Sequence, residues 1–226
     1  MSPRVLFVYT SVEKNLLDQP TGWYLPEAAH PYYVLAPHAE IDFAAPKGPN
    51  PPVDQYSVQT FKDDESVRFL SDETVKNKFA NAKKLSEVNS ADYDAIFYIG
   101  GHGPVIDLAS DPVNAKLASD FFRAGKITAA VCHGPAALVG ATDANGQPIF
   151  KGREATSFSD AEEIAVDMVK VIPFLVEDRI KELGGIYNAA EPFAPKVIIS
   201  DNLYTGQNPA SAKPLGEEIL KALKKA

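Results

Sequence analysis

Four runs of the chain are apolar with almost no polar alternation: residues 5–9, 41–44, 95–99 and 127–131. A strand apolar along its length is buried on both faces, and that requires helices on either side of a mostly parallel sheet. Shorter strand candidates follow at 155–158, 197–199 and 203–205. Helical patterns lie between them. Residues 114–124 fit, with Gly125 placed to end the helix; residues 174–183 fit, closed by Gly184 and Gly185; residues 210–223 fit, with Lys221, Lys224 and Lys225 at the negative end of the helix dipole. Strand and helix in alternation predict an α/β doubly wound sheet.

The rhythm breaks between about residues 45 and 90. Pro46, Pro49, Pro51 and Pro52 make an extended passage, followed by a polar helical segment over 72–85. The expectation is one domain, 1–226, carrying this stretch as a small inserted cap. At roughly 150 residues per domain, 226 residues suit that reading. A chain this long buries on the order of 70% of its unfolded surface, so it needs no disulfide or metal to fold.

Twenty-two basic residues against thirty acidic ones give a net charge of -8. Nucleic acid and anionic membranes both need a basic surface, so neither is an expected partner. No stretch approaches the ~18 apolar residues of a membrane span, and the N-terminal apolar run is too short for a signal segment. A soluble cytoplasmic protein is expected, with the nucleus also open. A single cysteine, Cys132, rules out an internal disulfide.

That cysteine ends the run 127–131 and is followed by His133, Gly134 and Pro135. A strand, a sharp turn and a helix start form a nucleophile elbow, which lifts the reactive atom to the carboxyl edge of the sheet. A helix N-terminus there is expected to lower the thiol pKa from its usual ~8.5. Adjacent side chains usually diverge, so His133 need not be the proton acceptor for Cys132. Gly100-Gly101-His102-Gly103 closes the neighbouring strand; its glycines let backbone N–H groups approach an oxyanion. Gly101, His102 and Gly134 are therefore candidate substrate- or oxyanion-binding positions. Glu27 sits in the first turn of a helix begun by Pro26, beside Trp23, Tyr24 and Leu25; apolar neighbours would raise its pKa and let it relay protons. Ser159 and Glu162 form a capping box, whereas Glu163 is free to accept from His133.

The four histidines are His30, His38, His102 and His133. A class I glutamine amidotransferase needs one well after its cysteine, and none follows 133. No H-E-x-x-H, no cysteine pair and no phosphate-binding or dinucleotide glycine motif is present, so no metal and no cofactor is expected.

The segments TGWYLPEAAHPY, YIGGHGPVIDL, AAVCHGPAAL, TSFSDAEE and YTGQNPASA, spread from Thr21 to Ala212, resemble the ThiJ/PfpI superfamily. They are most similar to its heat-shock, glutathione-independent glyoxalase III branch. The resemblance implies a flavodoxin-like fold, a homodimer, and conversion of methylglyoxal and water to lactate (a D-lactate dehydratase activity) without glutathione or metal. It assigns Cys132 as nucleophile, Glu27 as the acid beside it, and His133 and Glu163 as the rest of a triad. The resemblance also extends to members described as holdase chaperones or protein deglycases; a stress-response holdase, a protein deglycase or a cysteine redox sensor stands as the alternative. A cysteine peptidase is a weaker third reading. The chain departs from the pattern at Pro37-His38-Ala39 and through residues 47–70, which bears on pocket shape.

Overall fold

The computed structural model describes residues 2–225. In chain order the elements are β1 (Arg4–Val8), α1 (Leu25–Leu35), β2 (Glu40–Ala45), α2 (Gln55–Thr60), α3 (Asp64–Ser71), α4 (Glu73–Ala80), β3 (Lys83–Lys84), β4 (Ala95–Tyr98), α5 (Gly103–Ile106), α6 (Pro112–Arg123) and β5 (Ile127–Val131). The remainder comprises β6 (Glu154–Ala155), α7 (Asp160–Ala165), α8 (Val176–Glu182), β7 (Ile186–Tyr187), β8 (Val197–Ser200), β9 (Leu203–Gly206) and α9 (Ala212–Leu223). Seven strands form one sheet in the order β3-β2-β1-β4-β5-β9-β8; every pair is parallel except β8 with β9. This is the doubly wound, flavodoxin-like architecture.

The apolar strands explain the layering. Along β1, Val5 and Phe7 point into a core shared with α1 and α9, while Leu6 and Val8 point into a second core with Phe121 of α6 and Ile180 of α8. Period-two alternation with both faces apolar puts a helical layer on each side. The chain order reverses between β1 and β4, and the crevice outside the carboxyl ends of strands at such a switch point is where open α/β sheets bind ligands.

The segment after β2 is more integrated than a surface cap. Phe69 of α3 and Phe79 of α4 join Tyr9, Trp23, Tyr32 and Phe43 in one aromatic cluster, with Trp23 and Phe79 stacked 5.0 Å apart. The predicted helix over 72–85 is Glu73–Ala80, begun by Asp72, whose side chain accepts from the N–H groups of Thr74 and Val75. The chain then turns back, and Lys83–Lys84 pairs with β2 as an edge strand. The strand predicted at 155–158 shrinks to Glu154–Ala155, paired with β7 in a separate small sheet. The reason is competition for backbone groups: Thr156 N–H donates to Thr205 Oγ1 and Phe158 N–H to the carbonyl of Cys132. Among the described residues no helix is long and apolar enough to cross a membrane.

Candidate active site

Cys132 follows β5 with φ +61. That left-handed conformation is unfavourable for an L-residue and makes the elbow sharp. Both backbone groups are held: Cys132 N–H donates to the carbonyl of Gly206 at 2.9 Å, and its carbonyl accepts from Phe158 N–H at 2.9 Å. The N–H of Cys132 is thus already engaged and does not face an oxyanion. Gly134 is needed for packing, because a Cβ there would lie 2.5 Å from the Tyr98 carbonyl oxygen. The elbow leads into a five-residue 3-10 turn, Gly134–Leu138, not an α-helix.

The sharp turn defeats the rule that neighbouring side chains diverge. His133 Nδ1 lies 3.3 Å from Cys132 Sγ, and its Nε2 lies 2.5 Å from Glu163 Oε2. The other Glu163 oxygen accepts from His102 Nε2 at 2.8 Å, and the two imidazole rings are 4.2 Å apart. Glu163 reaches this point from the first turn of α7, whose start is fixed by the Ser159–Glu162 capping box. Burial would raise the Glu163 carboxyl, but the two histidines hold it well below the usual carboxylate range. Burial, assisted by His102, pushes His133 below its ordinary value against the pull of Glu163. The resulting state is an ionised Glu163 and a neutral His133. Its Nε2–H donates to Glu163, and its Nδ1 lone pair faces the thiol.

Glu27 approaches the sulfur from the other side. It is fully buried, and neither carboxyl oxygen makes a well-aligned hydrogen bond among the described residues. Gly100 makes the approach possible: a Cβ there would stand 2.2 Å from Glu27 Oε2 and 2.9 Å from Cys132 Cβ. The α1 turn that carries Glu27 is braced by the proline passage and by α2, since Trp23 N–H donates to the Pro52 carbonyl and Leu25 N–H to Ser57 Oγ. Burial holds the Glu27 carboxyl well above the usual carboxylate range, against the opposing pull of Cys132 and the Gly100 backbone. The expected lowering of the thiol pKa is reversed: burial, then Glu27, push Cys132 well up. A short 3-10 turn has little aligned dipole to counter burial at 4% exposure. Both shifts favour the neutral forms, a thiol beside a carboxylic acid.

The structure thus brings Cys132, His133, Glu163 and Glu27 to one point, with His102 and Gly100 completing it. Gly101 adopts φ +93, and a Cβ there would collide with the Gly22 carbonyl at 2.2 Å, so it locks the β4 loop to the loop before α1. Sequence reasoning missed the steric need for Gly100 and the His102–Glu163 bond. The parallel pairing of β4 with β5 is the signal that places both strand-end motifs side by side. Asp54, from the segment read as a cap, was missed as well; its carboxyl is raised by burial and feels the His102 ring. By residue type, His102, His133 and Glu163 could hold a metal ion, their donor atoms lying within 4.8 Å of one another. Those donor atoms are turned toward each other in hydrogen bonds.

Comparison with known proteins places the geometry in context. A profile described as the DJ-1/PfpI family matches residues 26–222. The glutathione-independent glyoxalase HSP31 of Saccharomyces cerevisiae is 33% identical over 213 residues, covering 90% of each chain. The crystal structure of glyoxalase III from Candida albicans superposes with a TM-score of 0.87 at 27% identity over 97% of each chain. That of the 24 kDa rapid encystment protein of Francisella tularensis superposes with a TM-score of 0.93 at 34% identity, over 98% of this chain and 99% of that one.

Proposed function

This chain belongs to the DJ-1/PfpI family, and from that membership we propose that it is a glutathione-independent glyoxalase, a lyase-type enzyme turning methylglyoxal and water into lactate. The observation that carries the reading is the relay Cys132 Sγ to His133 Nδ1 at 3.3 Å and His133 Nε2 to Glu163 at 2.5 Å, with a buried acid on the far side of the sulfur.

The residues divide the chemistry as follows. The thiol is protonated at rest, so His133 Nδ1 takes its proton as the sulfur adds to the aldehyde carbon, C1. Ionised Glu163 stabilises the imidazolium, and Glu27 gives its proton to the C1 oxygen, forming a hemithioacetal. Glu27, now a buried carboxylate, removes the C1 hydrogen and returns it to C2. Between these steps the His133 imidazolium gives its proton to the C2 oxygen of the enediolate and then takes up the proton of the C1 oxygen. C1 is oxidised as C2 is reduced, so no external electron carrier enters the balance. The product is a thioester on Cys132; water cleaves it, releasing the 2-hydroxy acid and restoring the thiol. In this scheme the developing oxyanion is assigned to backbone N–H groups near Gly101 and Gly134. The same reading takes the protein as a cytoplasmic homodimer.

The test is methylglyoxal loss and lactate formation without glutathione, in wild type and Cys132→Ala. Lactate from wild type alone is the expected result; equal rates in the two proteins would end the proposal.

A further inference from the structure

Glu162 does more than cap α7. Its two oxygens accept five hydrogen bonds: from Ser159 N–H, Ser159 Oγ and Gln207 Nε2 on one, and from Phe193 N–H and Asn208 Nδ2 on the other. Two of these donors belong to the Gln207-Asn208 pair, whose side chains also hold the loop over residues 188–196: Gln207 accepts from Ala190 N–H, and Asn208 donates to the Ala194 carbonyl. No residue of that loop is buried, so its shape comes from these polar ties and not from a core.

At its centre Phe193 has φ +65, a conformation a bulky L-residue avoids, and its ring is 50% exposed. A fully buried carboxylate therefore holds a strained backbone that presents an apolar ring to solvent. The ring is not isolated: its centroid is 6.3 Å from Phe158, and Phe158 is 4.7 Å from His133. These rings run from the proton relay to the surface. An aryl substituent on the sulfur adduct, directed along this line, would offer the rings a stacking partner that a methyl group does not.

We propose that Phe158 and Phe193 form a specificity-determining wall that selects 2-oxoaldehydes bearing an aryl or comparably large apolar group, with Glu162 as the positioning residue for Phe193. The inference rests on the glyoxalase reading of the same site.

The experiment measures kcat and KM for phenylglyoxal and methylglyoxal in wild type, Phe193→Ala, Phe193→Leu and Glu162→Gln. An aromatic contact of this kind is worth about two- to twelvefold. The phenylglyoxal-to-methylglyoxal ratio of kcat/KM should fall by about that factor in Phe193→Ala, through KM, and less in Phe193→Leu; an unchanged ratio in both overturns the wall. Glu162→Gln should lower the same ratio, again through KM. A kcat loss shared equally by the two substrates would make Glu162 scaffold alone and overturn its positioning role. Calorimetric binding of mandelate and lactate to wild type and Phe193→Ala separates this inference from the glyoxalase reading. If wild type turns over neither aldehyde, that reading fails. Weaker mandelate binding in Phe193→Ala, with lactate affected less, still supports the wall; no change in mandelate binding overturns it.

Discussion

Two carboxylates in this molecule are each held by several donors, and they differ in what those donors can do. Near the amino ends of the strands, one oxygen of Asp42 accepts from Arg4 at 2.9 Å, Lys83 at 3.2 Å and Tyr93 at 2.7 Å. At the carboxyl ends, Glu163 accepts from two imidazoles. Both acids titrate below their ordinary range despite burial. The partners of Asp42 include two cations that keep their charge at any physiological pH, and the Arg4 and Lys83 side chains are 38% and 39% exposed. That network fixes β1, β2, β3 and the start of β4 and has no proton to give. Glu163 is 2% exposed, and its partners are two imidazoles, side chains able to take up and pass on a proton. Similar electrostatics serve as a clamp at one end and as a proton relay at the other; the identity of the cation decides which.

The contrast is broken most directly at Glu163. In the proposed scheme Glu163→Gln lowers kcat by about 10²- to 10³-fold, since an unpaired imidazole loses both its orientation and its stabilised cation. Asp42→Asn leaves kcat within error of wild type. Removing the negative charge of Glu163 also lowers the His133 pKa further, so the acid limb of kcat/KM, which lies below pH ~6.5 in wild type, moves to still lower pH. A limb that moves upward, or stays fixed, would mean that His133 is not the titrating base.

Glu27→Gln comes next, with turnover falling about 10²-fold. Its stability effect has the opposite sign. The folded-state pKa of Glu27 is raised, so the folded chain binds the proton more tightly than the unfolded one. Stability from that group is present below the unfolded pKa of about 4.3 and is lost as pH rises toward the folded value. Glutamine has no such loss. The Tm advantage of Glu27→Gln over wild type therefore grows from pH 5 to pH 8; a difference that is flat with pH would show that the acid is not held neutral by burial.

At the clamp, Asp42→Asn lowers unfolding stability by about 1 kcal/mol, because charge-assisted hydrogen bonds at a partly exposed site are weakened by solvent. Chemical denaturation at pH 7 measures it. The smallest effect is that of salt. Raising NaCl to about 0.5 M should shrink the Asp42→Asn penalty by a few tenths of a kcal/mol and leave the Glu163→Gln kcat ratio unaltered, since screening reaches exposed charges and not a sealed relay.

The same physical difference governs what was legible in the sequence. Strands apolar on both faces, such as β1, β4 and β5, announce themselves and bring the fold class with them. Lys83–Lys84 does not, because an edge strand of two lysines has no apolar pattern to read. Cys132, His133, Glu163 and Glu27 were visible as candidates through their places at strand and helix ends. Their electrostatics were not: the direction of the thiol shift depends on how deeply the sulfur sits and on how short the turn after it is. The contact between adjacent Cys132 and His133 depends on a backbone angle that residue order does not encode. Phe193 offered no signal at all, since a lone aromatic between two prolines reads as plain loop.

The angle at Cys132 has a consequence for anyone who diversifies this chain. A left-handed position disfavours most L-residues, Asn and Asp least, by about 1–2 kcal/mol relative to glycine. Selection of a randomised library for heat resistance alone should therefore enrich glycine at 132, whereas selection on aldehyde survival should restore the cysteine; at this position, durability and reactivity reward different amino acids.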